Sequence, residues 1–404
     1  MIISYKIRLY PTPEQEQIMW DSVNAARFVW NWGLAYQMER FSNGSSHLSG
    51  YDMRKILTEL KKQDGYEWLN NVSSKTLSAA LLDLDDAYQR FFAIQKQGEK
   101  YSKSKIKRAA RQERKLTPYD MKGHPKFKKK AEAEPKFYVR YDALYFVSGQ
   151  ANIEKIGKVA YRTDSKLPQG RDAAKYTNPR VKYIGGKWIL TFGMECESQA
   201  REHNDFAVGI DLGVKELAVI SYNSGTRTKS YKNINKTKRV KKLKKRLKHK
   251  QRSISRKYRQ NGSYERTKNV LEEKEQIEGL YRKLANIRLD YTHKKTTEII
   301  ELNPRVIVIE DLNVAGMMKN RHLSGAIAEQ TLGEFTRQIE YKAKRAGIDV
   351  VRADRFYPSS KTCSLCGNIK KDLKLKDRVY RCEVCGLVID RDINAAKNLE
   401  KLVC

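Results

Sequence analysis

Three acidic residues in this sequence sit where strands and helix starts present functional groups. Asp211 lies within Val208-Gly209-Ile210-Asp211-Leu212-Gly213, and Glu310 closes the apolar run Val306-Ile307-Val308-Ile309. Asp392 belongs to Asp390-Arg391-Asp392-Ile393-Asn394-Ala395-Ala396-Lys397-Asn398. Carboxylates are hard oxygen ligands and select Mg²⁺ or Mn²⁺ over softer metals. Two such ions roughly 4 Å apart support phosphodiester hydrolysis by clamping the attacking and leaving oxygens. Any one of these acids alone reads as a cap or turn residue. The order strand-Asp, strand-Glu, helix-Asp is instead the plan of a ribonuclease-H-like nuclease. Asp311 is expected on the opposite face from Glu310, because side chains alternate along a strand.

Between the second and third acids stands Cys363-x2-Cys366-x15-Cys382-x2-Cys385. This spacing matches a tetrahedral four-thiolate Zn²⁺ site. With every ligand position taken by sulfur, the ion would be structural and would fold a segment too short for its own core. The rival reading, two disulfides, needs an oxidising compartment. Cys196 and Cys404 stand apart from the cluster.

The rest of the chain must position these groups and bring them a substrate. Its 81 Lys and Arg against 47 Asp and Glu leave a formal charge of +34. A charge of that size repels itself in a compact fold and implies an anionic partner. Nucleic acid fits best, because each neutralised phosphate releases counterions. Residues 217–264 contain 17 Lys and Arg and no acid. Within them Val240, Leu243 and Leu247 recur at helical spacing, predicting an amphipathic helix with one cationic face. Lys238, Arg239, Lys241, Lys242, Lys244, Lys245 and Arg246 are its candidate phosphate contacts. A second helix over about 265–301, seamed by Ile277, Leu280, Leu284 and Ile287, closes a hairpin. No run of about 18 apolar residues is present, so no membrane span is expected. The N-terminus alternates like a strand and lacks the layout of a signal peptide. Together with the paired CxxC usage, this points to a reducing compartment.

At 404 residues the chain can form two or three domains. A strand over about 2–10 ends at Pro11-Thr12-Pro13. Helical sequence follows from Glu14 to Phe41, where Trp20, Phe28, Trp30 and Trp32 are read as core. Another helix carries Leu81, Leu82, Leu84, Phe91 and Phe92, and residues 96–118 turn polar and basic. From Gly123 to about residue 200, short β-rich runs alternate with turn signals. The fold class expected is multidomain α/β. Residues 1–15 and 121–205 would form one small β-barrel, interrupted by a helical domain over 16–120. A ribonuclease-H-like domain would span 206–360, carrying the basic hairpin 230–301. The zinc knuckle would occupy 361–387, and residues 388–404 would complete the nuclease.

The whole pattern resembles the TnpB family, transposon-encoded nucleases long filed as OrfB transposases and presumed relatives of the type V CRISPR effectors. The resemblance rests on Tyr5-Lys6-Ile7-Arg8-Leu9-Tyr10-Pro11-Thr12, Arg27-Phe28-Val29-Trp30-Asn31 and Pro125-Lys126-Phe127-Lys128-Lys129-Lys130. It continues through Gly209-Ile210-Asp211-Leu212-Gly213, Ile309-Glu310-Asp311-Leu312-Asn313 and Tyr341-Lys342-Ala343, and ends with the cysteine pairs and Asp390 to Asn398. It implies an RNA-guided DNA endonuclease with a RuvC-like centre of Asp211, Glu310 and Asp392. The barrel and helical insertion would be the wedge and recognition domains. The partners would be a guide RNA derived from the transposon end and double-stranded target DNA, in a monomeric ribonucleoprotein. Pairing would supply specificity while the protein reads shape and a short adjacent motif. The implied location is the prokaryotic cytoplasm, at the nucleoid. The chain stops at Cys404, soon after its last motif, whereas many relatives carry a longer tail. Three other readings stay open. One is a nuclease-type or DDE-like transposase acting without guide RNA, another a compact CRISPR effector, and the last an RNA-guided DNA-binding regulator. A knuckle between the second and third acids speaks against the first, and the retention of all three acids against the last.

Overall fold

The computed structural model describes residues 2–403 apart from 99–100, 131, 164–165, 172, 196–201, 261–266 and 375–376. Cys196 and Cys404 therefore lie outside the described residues, as do the end of the acid-free run 217–264 and the turn of the hairpin 230–301. The chain divides into two compact units, Ile2–Cys196 and Glu197–Cys404.

The first unit opens with β1 (Ile2–Tyr10), followed by α1 (Pro13–Ser42), α2 (Gly50–Leu60), α3 (Ser74–Lys96) and α4 (Lys103–Arg111). The chain then returns to strands: β2 (Lys136–Tyr138), β3 (Tyr145–Val147), β4 (Gln150–Ile153), β5 (Gly157–Arg162), β6 (Tyr176–Tyr183) and β7 (Trp188–Glu195). These form one seven-stranded antiparallel sheet in the order β2-β6-β7-β1-β5-β4-β3. The N-terminal strand is thus internal, with Tyr5 opposite Phe192 and Leu9 opposite Tyr161. Ile7 and Leu9 enter a core shared with Phe146, Val181, Leu190 and Phe192. At the strand's end Thr12 and Gln15 form a reciprocal capping box, and Pro13 supplies a preset first helical turn. The aromatics of α1 pack as expected: Trp30 is buried, Trp20 lies edge-on to Trp188, and Phe28 lies edge-on to Trp68. Strand β4 was not expected, since Gln-Ala-Asn-Ile gives only two apolar positions.

The second unit begins with β8 (Asn204–Leu212), β9 (Glu216–Tyr222) and β10 (Arg227–Lys232). Two long helices follow, α5 (Lys238–Gln260) and α6 (Lys268–Glu301), then β11 (Pro304–Glu310), α7 (Val314–Met317), α8 (Ser324–Gln330), α9 (Leu332–Ala346) and β12 (Asp349–Ala353). A small hairpin of β13 (Val379–Arg381) and β14 (Val388–Asp390) leads into α10 (Arg391–Glu400). The main sheet runs β10-β9-β8-β11-β12. Strands β8, β9 and β10 are antiparallel, while β11 is parallel to both β8 and β12. Val306 to Ile309 are all buried, the signature of a central strand covered on both faces. Helix α9 ends at Gly347, whose φ of 77° is the left-handed cap that Ala346-Gly347 announces. The seam of α5 and α6 is the expected one, with Val240 and Leu247 buried against Leu280 and Leu284. Asp211 lies inside β8, which runs on to Leu212. One further expectation shifts. Strand β10 lies within the sequence read only as basic. Its Lys- and Arg-rich exposed face is typical of a sheet edge, and only Tyr231 is buried. No helix among the described residues is long and apolar enough to cross a membrane.

Candidate functional site

The parallel register of β8 and β11 sets Ile309 opposite Ile210 and Val308 opposite Gly209. One residue further along each strand, Asp211 and Glu310 are therefore neighbours on the same face. Helix α10 lies on that face, directly over Gly209. A Cβ built on Gly209 would stand 2.2 Å from the Ala396 carbonyl oxygen and 2.3 Å from the Glu400 nitrogen. Only glycine permits this approach, and Ala395 and Ala396, both buried, keep the helix equally slim. Asp392 lies one helical turn before Ala396, and Asp211 lies two residues along the strand from Gly209. These steps are about 5–7 Å, so the third carboxylate lies on the same face as the first two, near enough for its charge to act on both. Glu400 at the helix end is buried and accepts bonds from Ser221 Oγ at 2.6 Å and the Gly225 amide at 3.0 Å, which fixes α10 on the sheet.

The two acids of Asp390-Arg391-Asp392 have different positions. Asp390 is the N-cap of α10, and its carboxylate accepts from the Asp392 amide at 2.9 Å and the Ile393 amide at 3.3 Å. That bond occupies Asp390 in closing the helix start. Asp392, in the first turn, faces the other two acids. Burial, then the charges of Glu310 and Asp392, hold the Asp211 carboxyl well above the usual carboxylate range, and Arg391 offsets part of this. Glu310 is also raised by burial, against a hydrogen bond from Ser359 and the charge of Arg391. A cluster of acids that resist ionising together suits a divalent cation, whose charge removes the repulsion. Asp311 points elsewhere, as alternation requires. It accepts from Arg352 at 3.2 Å and from Arg355 at 3.0 Å, which keep its carboxyl below the usual range.

The four cysteines converge. Their ligand atoms all lie within 4.8 Å of one another, and Cys363–Cys385 and Cys366–Cys382 sulfurs are 3.5 Å apart. A tetrahedron with Zn–S bonds of about 2.3 Å has edges of about 3.8 Å, so the cradle fits zinc. All four are free thiols rather than disulfides. Each pair turns on a glycine, Gly367 at φ 77° and Gly386 at φ 74°, whose amide returns to the carbonyl of the first cysteine. Tyr380, fully buried, and Leu373 are the main apolar supports of this segment. The knuckle is also tied to α10. The Asn394 side chain accepts from the Ser364 amide at 2.9 Å and donates to the Thr362 carbonyl at 2.6 Å. Ser359, Asn394, Asn398 and Glu400 are not marked by the sequence reading; for the two asparagines, polar residues beside Ala395 and Ala396 were the available signal.

On α5, Lys238, Arg239, Lys241, Lys242, Lys245 and Arg246 are exposed along one face. Lys242, Lys245, Arg246 and Lys250 line a groove with Lys283 of α6. Lys244 differs from its neighbours. It is half-buried and paired with Glu329 of α8, which Arg288 also approaches at 3.5 Å, so it braces the hairpin against the rest of the unit.

Comparison with known proteins adds the lineage. The IS605 OrfB model, described as a probable transposase, matches residues 191–321, and the Cas12f1-like TNB domain model matches 333–399. A model described as a helix-turn-helix domain matches residues 1–46, which here are β1, α1 and the start of a loop. A protein of Streptomyces pristinaespiralis named as an RNA-guided DNA endonuclease is 30% identical over 98% of this chain and 88% of its own length. The chain belongs to the TnpB family. A second relative, InsQ of Escherichia coli strain K12, also named as an RNA-guided DNA endonuclease, is 30% identical over 98% of this TnpB-family chain and 91% of its own. The CRISPR-associated endodeoxyribonuclease Cas12f1 of Sulfoacidibacillus thermotolerans is 28% identical over 53% of this chain and 50% of its own.

Proposed function

We propose that this protein is an RNA-guided DNA endonuclease of an insertion-sequence transposon, cutting DNA through divalent metal ions held by Asp211, Glu310 and Asp392. The observation that carries this reading is the β8–β11 register, which makes Asp211 and Glu310 neighbours beneath the helix bearing Asp392. When bound, a pair of Mg²⁺ or Mn²⁺ ions supplies an activated water and charge for the leaving oxygen. The chain's own residues hold the geometry: Asp390 closes the helix start, Gly209 lets the helix approach, and Arg391 balances part of the acid charge. Zn²⁺ in the cysteine cradle is structural. Lys241, Lys242, Lys245 and Arg246 contact phosphates of the guide or target. The seven-stranded sheet and its helical insertion act as wedge and recognition domains for a guide RNA from the transposon end, in a monomeric particle working in the prokaryotic cytoplasm. The match of the IS605 OrfB model, together with full-length similarity to two relatives named as RNA-guided DNA endonucleases against half-length similarity to Cas12f1, favours a transposon protein over a compact CRISPR effector.

The test is to sequence the RNA that co-purifies with the protein and to reprogram its guide segment. Cleavage of a matching duplex, lost in Asp392→Ala, is the expected result. A repeat-spacer RNA would mean a CRISPR effector, and cutting without any RNA would overturn the guided reading.

A further inference from the structure

We infer that Ser359 is a positioning residue for Glu310, anchored through Asn398 to the helix that carries Asp392. Its hydroxyl donates to Glu310 Oε1 at 2.6 Å, and the serine is only 5% exposed. The Ser359 carbonyl accepts from Asn398 Nδ2 at 2.7 Å, and the same amide donates to the Thr362 carbonyl at 2.6 Å. Asn394, one turn earlier, donates to that carbonyl too and receives the Ser364 amide. Both asparagines are buried, at 0% and 3% exposure. One polar network thus runs from the strand acid, through the turn preceding Cys363, to the helix of the third acid.

A carboxylate that offers one oxygen to a metal swivels about its terminal torsion, which has a broad energy profile. A donor on Oε1 fixes the carboxylate plane and leaves Oε2 for the ion. A hydroxyl that needed only a partner would take a nearby carbonyl, as Thr362 Oγ1 does with Pro358 at 3.0 Å. Ser359 instead crosses to β11. Partners of metal-binding side chains typically tune affinity by about 10–100-fold, and the network brings the zinc knuckle into the same mechanical unit as Glu310.

This inference rests on the reading of the three acids as metal ligands, and the experiment separates the two. Mn²⁺ binding is followed by electron paramagnetic resonance on the guide-loaded complex, with Asp211→Ala defining the ions that belong to the site. Ser359→Ala should raise the Mn²⁺ dissociation constant of those ions about tenfold or more. The Mg²⁺ concentration for half-maximal cleavage should rise with it. Target binding and zinc content should stay near those of the native protein. Ser359→Thr, which keeps the hydroxyl, should recover most of the affinity. Ser359→Cys, a weaker donor of similar size, should fall between and serves if the alanine variant does not fold. An unchanged Mn²⁺ constant in Ser359→Ala or Ser359→Cys, with Glu310→Gln losing the ions, overturns the positioning role alone. If Glu310→Gln also binds Mn²⁺ normally, the metal reading itself falls.

Discussion

Replacing Gly209 with alanine adds a single methyl at the point where α10 meets the sheet. That methyl would sit 2.2 Å from the Ala396 oxygen and 2.9 Å from the Glu400 Cα, both backbone atoms that no rotamer change can move. Ordinary contact begins at 3.4 Å, so the helix must withdraw by about 1.2 Å. Overpacking of this kind costs about 1–3 kcal/mol. Here the upper end applies, because withdrawal also stretches the buried bonds of Glu400 to Ser221 and Gly225. About 3 kcal/mol in a unit of this size lowers the melting temperature by roughly 6–12 °C. Withdrawal carries Asp392 away from Asp211, and a 1 Å misplacement at a reacting centre can cost about 100-fold in rate. The assay is a thermal melt beside single-turnover cleavage of a guided target well below the melting temperature. Gly333→Ala on α9 is the control: its methyl meets nothing within 4 Å, so stability should change by no more than about 1 kcal/mol. A Gly209→Ala protein that melts and cuts like the native one would refute the docking of α10 over Gly209. One that melts early yet cuts normally when folded would show that Asp392 does not act through this helix.

Three other outcomes follow from the same geometry. Asp211→Ala, Glu310→Ala and Asp392→Ala should each abolish cleavage with guided binding retained, whereas Asp390→Ala should cost about 1 kcal/mol of helix capping and leave measurable cutting; the reverse pattern for the last two would make Asp390 the third acid of the site. Cys382→Ser, or chelation of zinc, should unfold the knuckle and reduce cutting, because Tyr380 and Leu373 bury too little to fold it alone; metal analysis showing no zinc in the native protein would refute this. Alanine at Lys241, Lys242 and Lys245 should each lower the log–log salt slope of nucleic-acid binding by roughly 0.7–0.9. Lys244→Ala should instead lower stability with little change in slope, since that side chain is engaged with Glu329; salt-titrated binding and melting together distinguish the two.

The acids were legible because their surroundings are strongly patterned. The β-branched run Val306 to Ile309 favours a buried strand, and Asp390-Arg391-Asp392 announces a capped helix start. The zinc cradle was legible from spacing alone. What stayed hidden depends on pairings distant in sequence. Nothing local marks Ser359 as a partner of Glu310, 49 residues away, or Glu400 as a partner of Ser221, 179 residues away. Lys244 sits in a run of identical-looking lysines, and only the fold brings Glu329 beneath it. Strand β10 was missed because a charged edge strand has no apolar alternation to read; its identity comes from pairing with β9.

The internal position of β1 sets an order of events during synthesis. Tyr5 must pair with Phe192, so the ribosome has to make 187 further residues before the strand finds this neighbour, its other neighbour β5 coming earlier. At about 5–20 residues per second this is roughly 10–40 s. Until β5 is made β1 has no ladder to join, and its longer pairing with β7 waits for the whole interval. The helices α1 to α3 are made within the gap and contain clusters of their own, Ala25, Val29, Met53, Leu57 and Leu81 among them. They can condense early, while the sheet waits for β7. The first unit is therefore assembled from its inserted part outward, and its first-made strand is among the last to lock.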